Sequence, residues 1–345
     1  MRHNRTPTAV DAVAEGFLDQ SAALDPIEAT YFGVAGHDDR LPEFTPEWWE
    51  SVSELRRRTL AELAAAEPVD STDRVTVAAM REELSLAEEL RAAGEEEMNL
   101  DVISSPLQTI RDIFDLTPSD TVEQWGTLAK RLSAVPTAVD GYIESLRYAA
   151  RRGRVAARRQ VEAGAAQCAG NVGPEGFFAR LAAGAGPTRG GELPAALRSE
   201  LDTSAKAASE AYERLAGFLC EELLPEAPDV DAVGRDRYVL HSRSFLGTTI
   251  DVEETYEWGQ QELARITAEM AATADRIKPG AGVDEAIEYL DHRGSHALHG
   301  TEALQRWMQQ TSDEAVAALA DTHFDIPDPI RVLECRIAPT QQGGI

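Results

Sequence analysis

Hydrophobic positions recur at three- and four-residue steps through most of the chain, the spacing that lines one face of an α-helix. Val10, Val13, Phe17 and Leu18, with Ala22 and Leu24 beyond them, predict a helix from about Thr8 that breaks at Asp25-Pro26 and is followed by a short second helix to Phe32. Gly33 to Glu43 is polar and reads as a loop. Thr45-Pro46 opens the next helix, to about Ala66: Thr45 caps it, Pro46 suits the first helical position and Phe44 reaches Trp49 one turn in. Another helix begins near Asp70 or Ser71 and carries Val75, Val77, Leu84, Leu86 and Leu90 to Gly94. The acidic run Glu95-Glu96-Glu97 reads as its solvated end, because three consecutive helical side chains point in different directions and do not converge on a cation.

Leu100, Val102 and Ile103 then lead into a helix from Pro106 to Phe114. Thr117-Pro118-Ser119-Asp120 offers a cap and a first-turn proline for the next, whose apolar face is Val122, Trp125, Leu128, Ala129 and Leu132. Pro136 interrupts that face; Val139, Tyr142, Ile143, Leu146 and Ala150 resume it up to Arg151-Arg152-Gly153. The Gly-rich stretch 183–191 reads as a hinge ahead of a long helix from Leu193 to Leu224, and Gly234 to Gly247 as a short helix. Asp251 with Glu254 starts another long helix, whose expected buried stripe is Val252, Tyr256, Leu263, Ile266, Met270 and Ile277. Val283 to Leu290 and Thr301 to Ala320 predict the last two helices.

Ile330, Val332, Cys335 and Ile337 break the helical period and predict one short terminal β-strand. A lone strand cannot satisfy its own backbone, so its sheet is expected to be incomplete and its partners to follow Gly343-Gly344. An open edge of that kind favours self-association. The expected architecture is therefore mainly α: a flexible tail over 1–7, then one large multi-helix domain over 8–345 with a single strand at its end.

Composition narrows the partners more than the chemistry. A net charge of -27 argues against nucleic acid and against an anionic membrane, both of which are held by Lys and Arg. Lys130, Lys206 and Lys278 are the only lysines, so the positive charge is almost all guanidinium. Cys168, Cys220 and Cys335 are too few and too scattered for a disulfide framework; they read as buried structural thiols and point to a cytoplasmic location. No apolar run is long enough to span a membrane.

Three constellations invite chemical readings. His292, His296 and His299 would share one face of a continuous helix, as a metal site needs, but Gly294 and Ser295 favour a turn there and no glutamate stands in the general-base position. His241 beside Tyr238 and Ser242 reads as a packed ring more readily than as an acid-base group. Arg151, Arg152, Arg154, Arg158 and Arg159 form the one basic segment, read mainly as cations at the negative end of one helix and on the wet face of the next. The chain contains no G-x-S-x-G, no dinucleotide glycine fingerprint and no H-E-x-x-H. No catalytic residue and no metal ligand is assigned, and the substrate-binding residues are unassigned.

Several stretches taken in order resemble one family. Leu100-Asp101-Val102 leading into Gln108 to Phe114, Arg158-Arg159-Gln160-Val161, Gly300 to Gln305 with Trp307-Met308, and Thr322 to Pro327 followed by Arg336 to Thr340 are similar to the bacterial domain of unknown function 885. The resemblance implies a helical zincin-like, metallocarboxypeptidase-like fold, with zinc expected in a full-length member for hydrolysis of a peptide or peptide-like molecule. It also implies that the zinc-binding His-Glu helix follows Ile345, so that this chain is the amino-terminal, cleft-forming portion and inactive alone. The alternative is a non-catalytic helical module binding a peptide or an acidic small ligand.

Overall fold

The computed structural model describes residues 5–189, 191–292 and 297–337. Thr8 and Asp11 cap α1 (Ala9–Leu24) reciprocally, and Asp25 ends that helix while capping α2 (Pro26–Tyr31), accepting the amides of Ile27 and Glu28 at 2.9 and 3.1 Å. Helices α3 (Pro46–Ala65) and α4 (Ser71–Ala93) follow and pack with α1 around Val10, Leu63, Val77 and Leu84. Gly94, at φ 83°, turns the chain sharply off α4.

The larger core surrounds α10 (Ala195–Phe218), which packs against α6 (Val122–Ser133), α7 (Val135–Ala150), α8 (Arg158–Gly170) and α9 (Phe177–Ala183). Its inward face is small where neighbours come close, at Ala205, Ala208 and Ala211, and large at Leu201, Tyr212 and Leu215. The buried Tyr212 hydroxyl donates to the Leu107 carbonyl of α5 (Pro106–Leu116) at 2.8 Å, so this ring fills the core without stranding its polar tip. Beyond Phe218 the helix widens into a π turn, Leu219–Leu223, before Pro225 ends it.

Residues 33–45 run across this core, fastened at two points. Arg131 of α6 is fully buried and donates to the carbonyls of Pro26, His37 and Arg40 and to the hydroxyls of Thr30 and Thr117. At the other end the chain crosses α7 over Gly141, where a Cβ would lie 1.9 Å from the Glu43 carbonyl oxygen. Phe44 takes φ 53°, its carbonyl accepting from Ser145 Oγ at 2.6 Å. Its ring meets Trp48 at 5.2 Å, not Trp49 as the helical spacing suggests. The cap of α6 differs too: Thr121 caps it with Gln124, and Thr117 closes α5 while accepting from Arg131.

Contacts divide the chain into two compact units, Thr6–Thr249 and the residues from Ile250 onward. The first unit ends with α11 (Arg235–Leu246), which packs on α4 and buries none of its residues. In the second unit α12 (Val252–Ile277) packs on α13 (Val283–Asp291), and α14 (Thr301–Leu319) follows. The stripe expected to be buried on α12 is not: Tyr256, Leu263, Ile266 and Met270 are exposed, and only Ala274 of that helix is buried.

The strand expected over Ile330 to Ile337 does not form, and the described residues contain no sheet, only an isolated bridge between Ala320 and Phe324. A short 3-10 turn, Asp328–Ile330, takes its place, and the extended residues after it bond to side chains instead of a neighbouring strand. Gln309 of α14 accepts the Cys335 amide at 2.9 Å and donates to the Leu333 carbonyl at 2.7 Å, while Gln305 donates to the Cys335 carbonyl at 2.9 Å. Two glutamines on one helix face thus do locally what a β-ladder would do, and the expected open strand edge is absent there. Gly343-Gly344 lies outside the described residues. Of the cysteines, Cys168 is buried, Cys335 half-buried and Cys220 exposed, so the buried-thiol reading fails at Cys220.

Candidate functional site

The acidic run that reads as a solvated helix end is instead the most heavily paired turn in the first unit. Gly94 ends α4, so Glu95, Glu96 and Glu97 leave the helix and every one of the three carboxylates meets a guanidinium. Arg237 of α11 grips Glu95 bidentately, at 2.5 and 2.7 Å, and His241 Nε2 lies 2.9 Å from the same carboxylate. Glu96 receives Arg56 of α3 and, at 3.2 Å, Arg91 of α4, which also lies 3.2 Å from Glu97. The three side chains are only 8%, 12% and 9% exposed. Sequence reasoning misses this because it assigns the run to a continuing helix; the signal available was the glycine before it, which ends that helix.

Neighbouring carboxylates are driven in opposite directions. Burial pushes Glu96 above the usual carboxylate range, and Arg56 and Arg91 offset it only in part. Burial pushes Glu95 up as well, but the hydrogen bonds and charges of Arg237 and His241 outweigh it and leave Glu95 below that range.

This turn forms one wall of a cleft of about 770 Å³. Trp49, Leu90, Met98, Leu100, Val155, Val230 and Val233 supply apolar surface, and Arg56, Arg159, Gln160, Arg237 and His241 supply polar groups. Gln160 Oε1 is buried without a hydrogen-bond donor. Arg158 and Arg159, at the start of α8, hold the segment leading to α11: Arg158 Nε is 2.5 Å from Asp229, Arg159 is 3.0 Å from Asp231, and the Arg158 amide donates to the Pro228 carbonyl at 2.8 Å. A further hollow of about 550 Å³ shares Trp49, Arg56, Ala87 and Asn99 with the cleft and extends past Phe17 and Phe32 to Asp25. There burial raises Asp25 to about 6 against the pull of the Glu28 and Ile27 amides.

The other candidates are dispersed. Helix α13 ends at Asp291, His292 caps it, His299 lies in the connection to α14, and His296 falls outside the described residues; no helix carries all three. The described residues contain no cluster of His, Cys, Asp and Glu suited to a metal ion. The donor chemistry at the acidic turn also opposes zinc: its carboxylates already face guanidinium groups, which repel a dication, and its one imidazole is bonded to Glu95. No step through zinc is assigned to these residues.

Among the described residues, no helix is long and apolar enough to cross a membrane. The family model described as bacterial protein of unknown function (DUF885) matches residues 26–345. No curated protein matches the chain. Among solved structures it is similar to the "putative lipoprotein from Colwellia psychrerythraea", with a TM-score of 0.70 and 14% identity. The match covers 91% of this chain and 59% of that one. At that identity the likeness is one of fold.

Proposed function

Because the chain belongs to the DUF885 family of bacterial proteins of unknown function, we propose that it supplies a binding cleft for a peptide or peptide-like ligand and performs no hydrolysis by itself. The observation that carries this reading is the unpartnered, buried Gln160 Oε1 beside a cleft of about 770 Å³ whose walls combine apolar side chains with polar and charged ones. Apolar walls with a few fixed polar groups are the usual make-up of a small-ligand site, and an unsatisfied amide oxygen calls for an N–H donor such as a peptide bond provides. Arg159 at the rim offers donors to a carbonyl or carboxylate of the same ligand. The family resemblance adds a setting: this chain as a cleft-forming part of a cytoplasmic, zinc-dependent, peptidase-like hydrolase.

The test is retention of peptides from a tryptic digest of casein by the purified chain, followed by titration with a retained peptide. Saturable binding is expected, weakened roughly three- to tenfold by Gln160→Leu, the size of one lost hydrogen bond. Cleavage of the peptide by this chain with added zinc would overturn the non-hydrolytic reading, and failure to retain any peptide would overturn the cleft assignment.

A further inference from the structure

Glu97, the third residue of the acidic turn, also borders a different hollow, of about 510 Å³, between α3, α4 and the end of α7. Its lining carries four guanidinium groups, Arg57, Arg91, Arg152 and Arg154, against three carboxylates, Glu50, Glu88 and Glu97. A local excess of positive charge is unusual in a chain of net charge -27.

Most of these charges are matched within the protein. Arg57 lies 2.6 Å from Glu50, and Arg91 bridges Glu50 and Glu97 at 3.1 and 3.2 Å. Two sets of groups are left over. On one side, Arg152 and Arg154 have no carboxylate partner among the described residues; the Arg152 guanidinium lies 4.1 Å from the centre of the Tyr148 ring, and the Arg154 stem packs against Gly94. On the other, Glu88 lies 3.9 Å from Arg57 and its Oε2 accepts from Ser53 at 2.6 Å, but its Oε1 is buried with no hydrogen-bond donor, the Arg56 guanidinium standing 3.7 Å away. A buried carboxylate oxygen without a donor is unfavourable unless something brings it a proton to share.

We propose that this hollow binds a zwitterion, an amino acid or short peptide with both ends free, its ammonium donating to Glu88 Oε1 and its carboxylate received by Arg152 and Arg154. One ligand then satisfies both leftover sets. A phosphate would engage the arginines but leave Glu88 unmet and face three carboxylates. A divalent cation would meet four guanidinium groups. The site shares neither Gln160 nor Arg159 with the cleft and does not depend on the cleft's ligand.

Calorimetric titration of the whole chain with L-alanyl-L-alanine, its N-acetyl form, its C-terminal amide and inorganic phosphate tests the assignment. The free dipeptide is expected to bind, with each blocked form at least tenfold weaker. Glu88→Gln, which keeps an acceptor for Ser53, is expected to abolish the preference over the N-acetyl form, and Arg152→Ala the preference over the amide. Equal binding of free and blocked dipeptides, binding of phosphate in preference to the dipeptide, or no binding at millimolar concentration would overturn the proposal.

Discussion

Arg131 and Glu95 are both charged groups taken largely out of water, and the protein treats them in opposite ways. Arg131 is solvated by neutral acceptors: three carbonyls and two hydroxyls take its protons, and the one nearby carboxylate, Asp38, stands off at 3.6 Å. All its partners lie in the first half of the first unit, and it lines none of the hollows described above. Glu95 is held by the Arg237 guanidinium and the His241 ring, carried on a helix that buries nothing and stands beside a cleft. The first arrangement fixes a loop for good. The second can be taken apart without unfolding the core, which is what a binding site requires of its walls.

The largest expected break in this comparison is Arg131→Met. It removes all five hydrogen bonds of a buried guanidinium that fastens residues 26–40 to α6, and a loss of about 3–5 kcal/mol is expected. Chemical denaturation measures it; a loss below about 1 kcal/mol would remove the distinction between the two arrangements. Gly141→Ala tests the other fastening of the same loop. A Cβ 1.9 Å from the Glu43 oxygen forces the crossing chain to move, with an expected loss of about 1–3 kcal/mol read from the same transition.

How much of this was legible follows the range of the interactions. The helix starts near Thr8, Thr45 and Asp70 were legible, and the structure shows why: Thr8, Asp25, Thr45 and Asp70 each accept from amides only two or three residues away. Period alone found the apolar face of α6 but not that Arg131 lies buried beside it, since an arginine's burial depends on acceptors from residues 26 to 40 arriving from elsewhere in the chain. The same gap explains the acidic turn, whose cations come from α3, α4 and α11. On α12 the stripe was read correctly as a pattern and wrongly as a burial, for periodicity shows which face is apolar without showing what covers it. The terminal segment failed for a different reason: β-branched residues between prolines mark extended backbone, and Gln305 and Gln309 satisfy that backbone without a second strand.

Asp25 is an intermediate case, a buried carboxylate whose only hydrogen-bond donors are neutral amides. Its folded value, about 6, lies above the ordinary 3.8, so the folded chain holds this proton more tightly than the unfolded chain does. Stability from this group is therefore highest below about pH 4 and is lost as pH rises to about 6, after which the loss is constant. The full shift corresponds to roughly 3 kcal/mol, which solvent at its partly exposed edge reduces to about 1–2. Asp25→Asn keeps a cap acceptor for α2 and removes the charge. The variant is expected to gain on the parent between pH 4.5 and 7.5 in paired melting curves; parallel curves across that range would mean that Asp25 is not desolvated.

Arg237→Ala should have the smallest global effect and the most local one. The ion pair it removes is bidentate but has a guanidinium that is 28% exposed, and pairs of that kind contribute about 0.5–1 kcal/mol. No residue of α11 is buried, and besides Arg237 it is fastened by Arg243 to Glu82 and Glu89 and by His241 to Glu95. Loss of Arg237 also leaves the buried Glu95 with His241 as its remaining partner on α11, so α11 should loosen. Limited proteolysis within 228–250 is expected to accelerate several-fold in the variant, while global unfolding shifts by less than about 1 kcal/mol. Raised salt should mimic the substitution in the parent by screening the same contacts. If cleavage and global unfolding moved together, α11 would belong to the cooperative core, and the Glu95 network would be a structural fastening of the same kind as Arg131.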